Sequence, residues 1–121
     1  MILVDTSVWV DHLRKSDDRL VRLLESRDVL THPFVVGELA CGLLANRVAV
    51  LGLLRRLPVA PMISDAEALR FIERRELPGR GIGYIDVHLL AATMLEPSAL
   101  LWTRDRRLKD VAAALHLSVR E

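Results

Sequence analysis

The chain has 121 residues, 51% hydrophobic and only 4% aromatic, which suffices for one domain with a mainly aliphatic core. Its 17 basic and 16 acidic side chains give a formal net charge of +1, which excludes a strongly basic or acidic protein. The single cysteine, Cys41, excludes an internal disulfide and a cysteine-rich zinc site. No apolar run approaches the length of about twenty residues that crosses a bilayer, and no signal peptide is recognisable. We therefore predict a single cytoplasmic domain over residues 1–121.

The chain begins with an apolar strand, an acid and a helix. Ile2–Val4 is wholly apolar, which is typical of a strand buried on both faces of a parallel sheet. The helical spacing of Val8, Trp9 and Leu13 predicts a helix directly after Asp5. In open α/β sheets ligands bind at the edge where the strands end, which is where this acid lies. Helix capping is the alternative role for it.

The next elements place a second acid in an apolar helix. A capped helix precedes a second strand at residues 29–31, and Pro33 fits the first turn of a helix over residues 34–44. Glu38 is the only charged residue in that helix. Because an unpaired buried carboxylate is costly, this acid is a candidate for function.

The central segment supplies further structure but no phosphate-binding motif. Residues 46–57 predict a helix, residues 59–60 an edge strand between two prolines, and Ser64 with Glu67 a capping box for the following helix. Residues 78–83 contain three glycines. No strand precedes them and no Lys–Ser/Thr pair follows, so we interpret them as a flexible loop.

Two more candidate acids lie in the last third of the chain. Asp86 falls in the first turn of an apolar helix over residues 84–94, where an acid also suits the helix dipole. Residues 99–103 predict a strand that is followed by Asp105 and another helix, which repeats the opening arrangement. Residues 117–119 predict a final strand.

Four acids can meet at one edge of such a sheet. If the first strand is central, Asp5 and Asp105 become neighbours at the switch point, and Glu38 and Asp86 can face the same crevice. Converging carboxylates repel one another unless a cation neutralises them, and oxygen ligands suit Mg²⁺ or Mn²⁺. We therefore predict four catalytic acids, with Asp5, Asp86 and Asp105 as metal ligands and Glu38 acting through a water. Such an ion activates water for attack on a phosphodiester.

Two hydroxyl side chains flank these acids, and four histidines do not. Ser7 and Thr103 are predicted to hold a metal-bound water or orient a carboxylate, with helix capping and strand packing as the alternatives. The histidines show no zinc-site spacing and are predicted to be surface or capping residues: His12, His32, His88 and His116.

Four segments together resemble the PIN-domain ribonucleases: VDTSVW at 4–9, EL at 38–39, IDVHLLAA at 85–92 and LWTRD at 101–105. The small size is similar to that of VapC toxins of bacterial type II toxin–antitoxin pairs. The resemblance implies an α/β three-layer sandwich with a central parallel sheet of four to five strands flanked by helices. It also implies Mg²⁺- or Mn²⁺-dependent endoribonuclease activity, homodimerisation and neutralisation by a VapB-type antitoxin. All four acidic positions of the family are matched, although the last varies most within it.

Basic and apolar residues outside the acids suggest where partners bind. Setting the four acids aside leaves 12 of the 16 acidic side chains against 17 basic ones, a surplus suited to a phosphate-binding rim. The predicted RNA-binding residues are Arg80, Arg104, Arg106 and Arg107. Tyr84 is the only plausible stacking platform, which favours recognition of RNA shape. Trp9 is predicted in the core, with an antitoxin groove shared with Leu43 and Leu44 as the alternative.

Other functions compete with this interpretation. Phosphatases of the haloacid dehalogenase type need a second Asp two residues after the first, where this chain has Ser7. Receiver domains need a Lys after a late strand, where this chain has Thr103 and Arg104. A PIN nuclease of RNA processing that is not a toxin, or a non-catalytic RNA-binding protein on this fold, remains as the alternative. The non-catalytic alternative predicts that Asp86→Asn leaves function intact.

Overall fold

A computed structural model describes residues 1–120, so Glu121, the last residue of the predicted domain, lies outside the described residues. In chain order the elements are β1 Ile2–Val4, α1 Thr6–Arg14, α2 Asp18–Glu25, β2 Val29–Leu30, α3 Pro33–Ala40, α4 Arg47–Arg56, α5 Asp65–Arg74, α6 Tyr84–Leu95, β3 Leu100–Trp102 and α7 Arg106–Ala114. The predicted α/β class is confirmed.

The sheet is parallel and β1 is its central strand. Within residues 1–120 it has three strands in the order β2-β1-β3, with Leu3 opposite Leu30 on one side and Leu101 on the other. Because neighbouring strands are parallel, their carboxyl ends lie at one edge. This is the arrangement that the sequence required for Asp5 and Asp105 to meet.

The fourth and fifth predicted strands are present only as single bridges. Val59 pairs with Thr31 at one edge of the sheet, and Ser118 pairs with Leu101 at the other. Prolines at 58 and 61 remove backbone donors on either side of the first bridge, which limits its length. The prediction of four to five strands therefore counted two edge segments that do not extend into strands.

Apolar helices flank the sheet and enclose the core. Residues 87–93 of α6 are all buried, and α6 packs against β3 and α5. On another part of the molecule α1 contacts α3, which contacts α4. Trp9 and Trp102 are both 1% exposed, so Trp9 belongs to the core as predicted. None of the helices within residues 1–120 is long and apolar enough to cross a membrane.

Helix α3 is shorter than the sequence predicted. It ends at Ala40 instead of Leu44, and Leu43 is fully exposed. The guanidinium of Arg47 donates to the carbonyl oxygens of Ala40 at 2.6 Å and Gly42 at 3.2 Å. A basic side chain that binds the terminal carbonyls stabilises a helix end, and this one comes from the start of α4.

Candidate metal centre

The site lies where β1 and β3 end side by side. Asp5 directly follows β1, and its N–H donates to the carbonyl oxygen of Trp102 at 2.9 Å. Asp105 follows β3 and is the N-cap of α7, where its carboxylate accepts from the N–H of Leu108 at 2.9 Å. The sheet therefore places two acids that are 100 residues apart in the sequence at the same edge, after neighbouring strands. For Asp105 the capping role is also present.

Asp5 is buried and held by two hydroxyl groups. Its Oδ2 atom accepts from Ser7 Oγ at 2.8 Å and from Thr103 Oγ1 at 2.7 Å. These hydroxyls accept in turn from the backbone N–H groups of Arg104 at 3.0 Å and Asp105 at 3.1 Å. The carboxylate is thus fixed by donors from both loops, while its Oδ1 atom has no hydrogen-bond partner among residues 1–120.

Asp86 lies in the first turn of α6 and experiences the charges of the other three acids. Burial raises the pKa of this carboxyl, and the charges of Asp5, Asp105 and Glu38 raise it further. The N–H of Gly83, which donates to Asp86 Oδ2 at 3.1 Å, acts in the opposite direction. The other three acids therefore lie within electrostatic range of Asp86, although they come from separate elements.

Glu38 is exposed instead of buried, and a residue that the sequence did not single out orients it. The hydroxyl of Thr6 donates to Glu38 Oε1 at 2.7 Å. No local sequence pattern indicates this partner of Thr6, which lies 32 residues away. This contact links the start of α1 to α3 beside the acids.

The chemistry of the acids fits a hard divalent ion, although their side chains do not form a closed set of ligands. Among residues 1–120 no three His, Cys, Asp or Glu side chains are grouped closely enough to hold an ion. Glu38, Asp86 and Asp105 each accept from a nearby protein donor. Carboxylate oxygens suit Mg²⁺ and Mn²⁺, and Mg²⁺ keeps several waters, so few direct protein contacts are needed.

The four predicted RNA-binding arginines have different surroundings. Arg80, Arg106 and Arg107 are exposed, and Arg107 packs against Gly81 so closely that a Cβ there would lie 2.7 Å from its Cδ. Gly81 also has φ +80, which favours glycine. This contact places Arg107 beside the loop that leads to Asp86.

The guanidinium of Arg104, by contrast, is engaged within the protein. It donates to Asp11 at 2.9 Å and to Asp17 at 2.6 Å, and it stacks over the Trp102 ring at 5.4 Å. The hydrogen bond from Arg104 holds the pKa of Asp17 below its usual value, although burial acts in the opposite direction. These contacts favour a structural role for Arg104, and its predicted contact with RNA stays a prediction.

Two of the four histidines form part of an aromatic cluster between α3 and α6. His32 is fully buried, and its Nδ1 atom accepts from the N–H of Phe34 as the N-cap of α3. The Phe34 ring contacts His88 at 4.9 Å, and Tyr84 contacts the same histidine at 4.7 Å. His88 is 2% exposed with neither ring nitrogen hydrogen-bonded within residues 1–120. The prediction of a surface or capping role was therefore wrong for His88, which packs in the core.

A groove of about 540 Å³, lined largely by apolar side chains, lies beside Glu38. Val10 and Leu13 of α1 form one wall, while Leu43 and Leu44 contribute from the segment after α3. Glu38 also lines this groove. Leu43 and Leu44 thus belong to a groove, as the alternative for Trp9 supposed, but the α1 side chains are Val10 and Leu13.

The fold and site together define an α/β protein with carboxylates gathered at the carboxyl edge of a parallel sheet. Comparison with known proteins matches residues 2–114 to the PIN domain family. Two relatives from Mycobacterium tuberculosis, of strains CDC 1551 / Oshkosh and ATCC 25618 / H37Rv, are both named Ribonuclease VapC32. Each is 47% identical over 121 residues, covering 100% of this chain and 98% of the relative. The chain therefore belongs to the PIN-domain family, which confirms the resemblance seen in its four segments.

Proposed function

We propose that the protein is a metal-dependent endoribonuclease and the toxin of a VapBC-type toxin–antitoxin pair. It cleaves structured RNA, tRNA or rRNA, and so inhibits translation in the cytoplasm. The observation that carries this proposal is the raised pKa of Asp86, to which burial and the charges of three acids near the ends of β1 and β3 contribute. The ribonuclease names of the two relatives support it.

The proposed mechanism assigns a distinct role to each acid. Asp5, Asp86 and Asp105 would hold a Mg²⁺ or Mn²⁺ ion, and Glu38 would act on it through a water. When bound, such an ion would lower the pKa of a water and neutralise charge on the phosphodiester. Ser7 and Thr103 donate to Asp5 Oδ2, which leaves Oδ1 as the oxygen of this carboxylate that would bind an ion.

A basic rim is proposed to bind the RNA backbone. Arg80, Arg106 and Arg107 are exposed and lie near the acids in sequence, and Arg107 contacts the loop before α6. Cationic side chains around an acidic centre hold phosphates while leaving the scissile one to the metal. The hydroxyl of Tyr84 donates to Asp65 at 2.8 Å, so this side chain is held within the protein. This contact supports recognition of RNA shape over base stacking.

Cleavage of RNA by the purified chain tests the proposal. We expect bulk tRNA and rRNA to be cut with Mg²⁺ or Mn²⁺ present and to stay intact in EDTA, with activity restored by excess ion. Expression without an antitoxin should arrest growth. Cleavage without growth arrest would instead indicate a nuclease of RNA processing, and RNA binding without cleavage would indicate the non-catalytic alternative.

The apolar groove is the proposed site for a helix or strand of a VapB-type antitoxin. Exposed apolar side chains in a concave surface suit the apolar face of a partner segment. We expect Leu43→Asp to weaken antitoxin binding at least about 10-fold, because a charge is then buried in the interface, with RNA cleavage retained. Calorimetric titration with the antitoxin measures this. Equal weakening by Met62→Asp, at an exposed position outside the groove, would contradict the assignment.

We also propose a homodimer in which α5 contacts its copy. Leu69 of α5 is 59% exposed, with Asp65 and Glu67 toward the start of the helix and Arg70 and Arg74 toward its end. Two antiparallel copies related by a two-fold axis would pair acids with bases around an apolar centre. Light scattering should give twice the chain mass of 13.6 kDa, and Leu69→Asp should give the monomer mass. A dimer that survives Leu69→Asp would place the interface elsewhere.

A further inference from the structure

The segment from Thr103 to Asp105 carries two side chains of the proposed site within three residues. The Thr103 hydroxyl donates to Asp5, and the Asp105 carboxylate accepts from the N–H of Leu108 as the N-cap of α7. Between them stands Arg104, whose backbone N–H donates to Ser7 at 3.0 Å. The position of this segment therefore determines where Thr103 and Asp105 lie relative to Asp5.

The side chain of Arg104 attaches this segment to two other elements. Its guanidinium reaches Asp11 on α1 and Asp17 before α2, and only 28% of the side chain is exposed. The Trp102 ring lies beneath it, and the guanidinium of Arg19 lies 5.0 Å from the same ring. A guanidinium bound by two carboxylates and an aromatic face has its orientation fixed.

The anchor on Asp17 is itself rigid. One oxygen of this carboxylate accepts from the N–H of Leu20 as the cap of α2, and the other accepts from Arg104. The backbone N–H of Asp17 donates to His12 Nδ1 at 3.0 Å. The ion pair thus connects the catalytic segment to a fixed point of the scaffold.

We propose that Arg104 is a positioning residue that fixes Thr103 and Asp105 relative to Asp5 through its pairs with Asp11 and Asp17, and is not a contact for RNA. The inference rests on the proposed ribonuclease function. A small displacement of groups that act on a reacting phosphate lowers turnover strongly. Loss of this arginine should therefore affect catalysis and metal binding, and leave affinity for RNA unchanged.

The two roles of Arg104 predict opposite results for Asp17→Asn. Asparagine preserves the helix cap but removes the charge that holds Arg104. If Arg104 positions the segment, Arg104→Gln and Asp17→Asn each lower kcat about 10-fold at constant KM, and the double variant is no worse than either. If Arg104 binds phosphate, Arg104→Gln raises KM and reduces the salt dependence by about one ion, while Asp17→Asn improves KM.

The rise in Tm on adding Mn²⁺ gives a second measurement that needs no substrate. We expect the rise to shrink in Arg104→Gln and Asp17→Asn and to persist in the control Arg22→Gln, which removes an exposed charge from α2. An equal fall in Tm with and without Mn²⁺ would show that Arg104 supports only the fold, and would overturn the inference. If the wild type cleaves RNA and both variants behave like the wild type, the positioning role of Arg104 is wrong and the proposed ribonuclease function stands. Wild type that neither cleaves nor responds to Mn²⁺ defeats the proposed function, and the inference with it.

Discussion

We expect Asp86→Asn to lower RNA cleavage by roughly 10³-fold or more and to stabilise the protein in the absence of metal. The pKa of this carboxyl is raised by burial and by three neighbouring acids, so its ionised form is disfavoured in the folded state. Asparagine removes the charge but keeps an oxygen that can accept from Gly83. We expect a gain of about 2–5 °C in Tm in EDTA, since a half-buried charge is partly screened by solvent.

Thermal unfolding and cleavage assays on the same preparations test both parts. Asp110→Asn, an exposed acid of α7, is the matched control and should change neither activity nor stability. In Mn²⁺ the wild type should have a higher Tm than Asp86→Asn, because the ion binds and stabilises only the wild type. A variant that is inactive but less stable in EDTA would indicate that Asp86 serves the fold as a cap and not a metal site.

Acidification should destabilise the fold through His32. Burial, and then the nearby charge of His88, lower the pKa of His32 from 6.5 to about 4. The unfolded chain therefore binds a proton near pH 6.5 that the folded protein accepts only near pH 4. Stability from this group is complete above pH 6.5, declines as the pH falls toward 4 and is constant below it. The loss is about 3 kcal/mol at most.

A cap that does not titrate separates this effect from that of the carboxylates. His32→Ser keeps a side chain able to accept from Phe34, so the slope of unfolding free energy between pH 6.5 and 4.5 should become shallower. His116→Asn, at an exposed position, should leave the slope unchanged. If His32→Ser retains the full slope, the proton is taken up elsewhere.

Local sequence patterns were sufficient for the elements that form the site. An apolar run, an acid with a hydroxyl residue within two positions of it, and a helix occur twice, at Asp5 and at Asp105, and both apolar runs are strands that end at one edge. A central β1 was the condition for Asp5 and Asp105 to be neighbours, and β1 does lie between β2 and β3. The acids could therefore be grouped without any contact information.

Contacts between distant residues could not be predicted, because no local pattern encodes them. Glu38 accepts a hydrogen bond from Thr6, which lies 32 residues away. Arg104 meets partners 93 and 87 residues away. The position of Arg104 near the acids in the sequence predicted RNA binding. Only the folded chain shows that Asp11 and Asp17 bind its guanidinium.

The burial of His88 shows that the polarity of a residue does not by itself predict whether it is exposed. It follows Asp86 in a helix whose next seven residues after the acid are all buried. Polarity alone predicted a surface or capping position. The apolar residues on both sides of it in the sequence were the better signal, because a helix that is apolar all round is buried.

Calorimetric titration of Mn²⁺ into the purified chain tests most directly whether the four acids form one cation site. We predict saturable binding by the wild type and by Asp110→Asn, and none by Asp5→Asn or Asp86→Asn. Binding of equal strength in all four proteins, or in none of them, would contradict the account.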